Sequence, residues 1–293
     1  MKIIEPKTIS GAMLVSSTVA ENEYPAWAAG AYAVGSRVIR ASLHAIYQCK
    51  VAVSSSTPPE SDPANWDRFG PTGRWAMFDR ATGTSTKAIS TMTVVVDPGL
   101  VDSLALLDVD GNSVTVQMHV GADLVFSRTI SLNTGVGVVD AYTYCFSPVI
   151  MKRTVVISDL PPYASGRVTI TVSGSGQVGI GTAAFGQAFY VGEALYGASL
   201  GIIDYSSKST DQFGVTTVVE RDAANRMTVP FVMESWRGDE VMRRLKAVRA
   251  TPVVVVGSER FDSTVVYGLV SDAQTLIKYS ARWECSAKIE GLT

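Results

Sequence analysis

Histidine is almost missing from this chain: His44 and His119 are its only two. That shortage removes several chemistries. Gly197-Ala-Ser199-Leu-Gly201 spells the nucleophile elbow of serine hydrolases, in which the acid and the histidine follow the serine along the chain. Both histidines precede it here, and no motif supports another triad order. Two histidines without a third ligand also make a poor zinc site, so no metal ligand set is assigned. Cysteine is scarce too. Cys49, Cys145 and Cys285 form an odd, widely spaced trio with no C-x-x-C pair, which predicts buried free thiols in place of a disulfide framework or a metal knot. There is no excess of positive charge. A formal net charge of -2 leaves no basic footprint for nucleic acid. No apolar run reaches the roughly 18–20 residues of a membrane span. Met1-Lys-Ile-Ile-Glu-Pro lacks the apolar core of a signal peptide, so the expectation is synthesis and retention in a cytoplasm.

What remains is abundant core material, at 46% apolar and 18% charged residues, with a mean hydropathy of +0.19. From Thr93 to Val219 the apolar residues fall in short, β-branched, often alternating runs. They include Leu104–Val109, Ser113–Val120, Thr154–Ile157 and Arg167–Val172, separated by Gly, Asp, Asn and Pro. That spacing predicts a mainly β fold, with a jelly-roll-type β-sandwich over residues 79–219. Asp108-Val-Asp-Gly-Asn-Ser, between two such runs, predicts a hairpin turn. It lacks the later ligands of a calcium loop. Gly174-Ser-Gly-Gln-Val-Gly179 matches a dinucleotide fingerprint in letters, but no helix follows it, so it reads as a Gly-rich strand and turn. Ser131 to Ile150 reads as a connection with a short run at Val136-Gly-Val-Val. Residues 220–293 predict a small α+β unit with one clear helix, Asp239 to Ala250. Val241, Leu245 and Val248 form its apolar stripe, and Thr251-Pro stops it.

The N-terminal third has a different character. Residues 1–23 read as an extended arm, either frayed or packed on a neighbouring subunit. Residues 24–78 crowd eight aromatics into a unit too small to hold together without them. The order is Trp27, Tyr32-Ala-Val-Gly-Ser-Arg-Val, Ile46-Tyr-Gln-Cys49, a Pro-rich loop, then Trp66 and Phe69-Gly70. This resembles the small chitin-binding modules of chitinases, although Ser36 stands where that family often has Asp. The resemblance implies sugar stacking on Trp27, Tyr32, Tyr47 and Trp66. Residues Gly70–Asp79 read as a linker that becomes a strand.

The layout as a whole resembles tailed-phage tail and baseplate proteins. The matching pieces are Glu220-Arg-Asp-Ala, a helix before Thr251-Pro-Val-Val-Val-Val, Tyr267-Gly-Leu-Val and Ser286-Ala-Lys-Ile-Glu-Gly-Leu. That resemblance implies a virion structural protein, made in the host cytoplasm, without catalysis or cofactor. Its partners would be copies of itself in a ring, other tail proteins and cell-surface polysaccharide. The competing expectation is a carbohydrate-binding accessory protein or glycan depolymerase component. An enzyme of that kind needs two carboxylates in one groove, with Glu193, Asp204 and Asp211 as candidates.

Overall fold

The computed structural model describes residues 1–133, 139–146 and 151–292. Strand accounts for 54% and helix for 10%, so the chain is mainly β, as its alternation predicts. In chain order, β1 (Lys2–Pro6) and β2 (Leu14–Ser17) precede the module strands β3 (Gly30–Tyr32), β4 (Arg37–Arg40), β5 (Ala45–Cys49), β6 (Val53–Ser55) and β7 (Trp66–Pro71). The sandwich strands follow: β8 (Thr86–Val96), β9 (Ser103–Asp110), β10 (Ser113–Val120), β11 (Asp123–Ser131), β12 (Val155–Ile157) and β13 (Gly166–Tyr190), with a short helix α1 (Ala141–Phe146) before β12. Then come β14 (Glu193–Ala194), β15 (Ser199–Asp204), β16 (Ser207–Thr210), β17 (Thr216–Val219), β18 (Ala223–Glu234), helix α2 (Gly238–Ala247), β19 (Val253–Val256), β20 (Val265–Leu276) and β21 (Arg282–Gly291). Apart from Val139, the run starting at Val136 lies outside the described residues.

The 25-residue strand β13 organises the sandwich. Along one edge it pairs with β8. Along the other, β9 and β10 run end to end, with Asp110 opposite Gly179 and Ser113 opposite Ser173. The expected hairpin at Asp110-Gly111 therefore does not form, because each flanking strand takes β13 as its neighbour instead of its own sequel. All three ladders bend together. Ser90 in β8 has φ 64° and Gly111 has φ 155°, while β13 shifts register between Ser173 and Gln177. A side chain on Gly174 would meet Val178 Cγ1 at 2.8 Å and the Gly111 backbone at 3.4 Å. Glycine permits this corner because two backbones approach closely there. The dinucleotide-like letters thus mark where one layer folds over onto the other. Leu104, Leu106 and Phe185 from one layer enclose, with Val94, Val116 and Ile170 from the other, a core in which none of the six is exposed to solvent. Residues 76–78, expected at the start of a strand, form a 3-10 turn, and Trp75 and Met77 join that core.

The N-terminal residues form no free arm over 2–6. β1 is inserted between β13 and β19, with Ile3 opposite both Phe189 and Val255, and Ile4 opposite Ala188 and Val254. Ile3 and Ile4 supply apolar surface to opposite faces of the sheet, so burial on both sides holds the strand in place. From there the sheet continues through β20 and β21 to β18. Helix α2 lies on this sheet by the predicted stripe, with Val241, Leu245 and Val248 buried against Val255, Phe231 and Ile289. Asp239 and Glu240 in its first turn and Arg244 and Lys246 in its last suit the helix dipole.

Candidate functional site

The aromatic module is the first surface the sequence singles out. Its strands pair only with one another, as β3–β6 and as β4–β5–β7. Trp66 and Tyr47 are 2% and 8% exposed and form its centre with Val38, Ala45 and Cys49. Neither ring offers a face to a sugar, which corrects the stacking role implied for them. A unit this small has no other bulk with which to fill its core. Tyr32 and Trp27 are half-buried against the same cluster. Tyr32 meets Trp66 edge-on at 5.0 Å, and its hydroxyl donates to Ala28 O at 2.7 Å. Arg40 lies over the Trp27 ring at 5.2 Å and holds Glu60 in a bidentate pair. The more open aromatic belongs to the matching motif but is not among the implied stacking residues. Phe69 is 53% exposed, with the Arg37 guanidinium 3.7 Å from its ring centre. Arg37 also donates to Tyr24 Oη at 2.9 Å and to Gln48 Oε1 at 3.0 Å. The available signal was strand alternation, since Phe69 stands at an odd offset from buried Trp66 on the edge strand β7.

At the root of the module, the Glu21 carboxylate accepts from Trp75 Nε1 at 3.0 Å and lies 3.2 Å from His44 Nδ1. His44 stacks on Trp75 at 4.2 Å. His44 is therefore a joint residue between module and sandwich, and His119 sits in β10 opposite Arg167.

No candidate chemistry assembles elsewhere among the described residues. Glu193 stands opposite Val232 and Asp204 opposite Ala223, nine residues apart on β18, which is about 30 Å of strand. Asp211 caps the β16–β17 turn by accepting from the Phe213 and Val215 amides. These carboxylates do not converge as a glycosidase pair must. Ser199 lies in β15, opposite Thr228, not on a strand-to-helix elbow. Lys2, Ser158 and Glu259 do meet, with Lys2 Nζ 2.8 Å from Glu259 and 3.0 Å from Ser158. The hydrogen bond from Lys2, then that from Ser158, holds the Glu259 carboxyl below its ordinary range, so the lysine has an anionic partner. Asp108 is bound by Arg153 at 2.9 Å. Among the described residues no three metal-ligating side chains gather, and no helix is long and apolar enough to cross a membrane.

The thiols divide, against the expectation that all three are buried. Cys49 and Cys285 are buried, and burial pushes the Cys285 thiol up, opposed by a hydrogen bond to Thr275. Cys145 is exposed. Titration with a thiol-reactive dye should modify one cysteine quickly in the native protein and the other two only after denaturation. Native modification of two or more would contradict this packing.

The surface with the most unusual physics lies between β14 and β18. β15 pairs with β18, and the two strands lead into the β16–β17 hairpin, which among the described residues pairs with no other strand. Every residue of β16 and β17 is exposed. Nine large apolar side chains between Leu195 and Val219 stand at least 45% open, including Tyr196 at 98%, Phe213 at 81% and Ile202 at 73%. Their summed area is on the order of 1,000 Å², spread over the arm and its root, and clustered exposed apolar side chains mark interaction surfaces. At the root of this arm is a groove of about 640 Å³, floored by Val229 and walled by Leu195, Leu200 and Phe261, with Glu193 and Arg260 in its lining. Comparison with known protein families, curated proteins and solved structures finds no match. The arm was not legible as such, because β16, β17 and the sandwich strands share the same alternation. Only the absence of a covering partner sets it apart.

Proposed function

We propose that this chain is a structural subunit of a bacteriophage tail, at the tip, baseplate or collar, and that it works as a homo-oligomer. The observation that carries the reading is the uncovered apolar arm over 195–219. Apolar area of that size drives association, and a protein made in many copies meets its own surface first. The sequence layout, similar to tail and baseplate proteins, supplies the setting. Contact with host glycans falls to the open side of the module, where Phe69, Tyr24 and Trp27 lie beside Arg37 and Arg40. Flat rings flanked by guanidinium donors suit sugar faces and hydroxyls. The mass of the purified protein in solution tests the reading. An integral assembly, such as three or six subunits, is the expected result. A monomer at high concentration, together with absence of the chain from phage particles, overturns it.

A further inference from the structure

The β16–β17 hairpin and the groove at its root are different patches on one chain, and we infer that they are the two halves of one joint: the hairpin of one copy seats Phe213 in the groove of the next. This rests on the homo-oligomer reading and specifies its contact. Phe213 is at the hairpin tip and 81% exposed, so it is not seated in the groove of its own chain. The groove, at about 640 Å³, has room for a phenyl ring and the flanking Val215. Its walls are apolar, and Tyr196 stands open beside them as a ready cover.

Area points to a second copy as the occupant. The hairpin and the groove side chains at its root together expose on the order of 1,000 Å² of large apolar side chain, comparable to the roughly 800 Å² that each partner buries in a stable interface. A small ligand filling the groove would leave the hairpin bare; another copy covers both. Charge agrees. The hairpin carries Lys208 and Asp211, and the groove is lined by Glu193 and Arg260. Among the described residues neither Lys208 nor Arg260 is held by an ion pair, so both are available to a partner. Because hairpin and groove differ, the contact is head to tail. Repeated, it closes a ring or runs on as a filament.

The test uses the whole chain and two classes of variant. Phe213→Asp spoils the hairpin, and Phe261→Asp or Leu200→Asp spoils the groove; all three positions are about half or more exposed, and circular dichroism checks that each variant folds. Light scattering should show wild-type assemblies but monomers for each variant alone, with association weakened at least about 30-fold, as for a central interface residue. Mixing a hairpin variant with a groove variant should give a heterodimer and nothing larger, since one intact joint remains. Variants that assemble like wild type overturn this joint and leave the homo-oligomer reading standing. A mixture that stays monomeric overturns it also, because an intact hairpin then fails to join an intact groove. A wild type that is monomeric at high concentration overturns the joint and the homo-oligomer reading together.

Discussion

Ile4→Ala should lower the stability of the whole body by about 2–5 kcal/mol, the range for truncating a fully buried isoleucine. At roughly 2–4 °C per kcal/mol for a domain of this class, the melting midpoint should fall by about 4–20 °C. Deleting residues 1–6 should leave no cooperatively folding body. The reason is position. Ile4 is 0% exposed, and β1 is hydrogen-bonded on both edges, to β13 and to β19. Removing it separates the sandwich side of the sheet from the helix side and uncovers Val254, Val255 and Phe189. It also strands backbone donors and acceptors on two strands at once, each costing about 1–3 kcal/mol if it stays buried. Thermal denaturation followed by circular dichroism measures this directly. A dispensable arm, which residues 1–23 suggest when read as sequence, would show no shift.

The contrast between β1 and α2 shows what sequence can carry. The α2 stripe is written in three residues at helical spacing within one segment, so Val241, Leu245 and Val248 announce their own buried face. β10 likewise alternates within itself, and its limits are those the pattern suggests. β1 has only Ile3 and Ile4 side by side before Pro6, and its partners are about 180 and 250 residues away. Nothing local tells a two-sided central strand from a loose end. The Asp-Gly corner fails for a related reason. Turn chemistry fixes that the chain bends, but which strand it then meets is settled by β13, some 60 residues on. β13 itself was hidden because its glycines at 174, 176, 179 and 181 resemble the end of a strand, yet two backbones must approach there for the sheet to fold over. For the candidate site, aromatic crowding predicts a small unit, but composition does not say which rings point inward. The exposed arm was less legible still, since uncovered area is a property of the assembled fold.

Trp66 separates these readings most sharply. Trp66→Ala should unfold the module while the sandwich and α2 sheet persist, giving a low-temperature transition ahead of the main one. Loss of a buried tryptophan costs about 3–5 kcal/mol. The buried core it leaves is three small or medium side chains, Val38, Ala45 and Cys49, and one tyrosine, so little remains to oppose chain entropy. The body should survive because the module's strands pair with none of its strands. The tryptophan is held for volume and not for its donor: Nε1 is buried without a hydrogen-bond partner among the described residues. Trp66→Phe should therefore cost less than the alanine change, since it keeps a ring in place and removes an unsatisfied polar group worth about 1–3 kcal/mol. Limited proteolysis supplies the readout, with cuts inside residues 24–71 in Trp66→Ala and a resistant remainder. If Trp66→Ala instead kept the module intact and abolished only glycan binding, the ring would have to face solvent, and the packing of this unit around Trp66 and Tyr47 would be refuted.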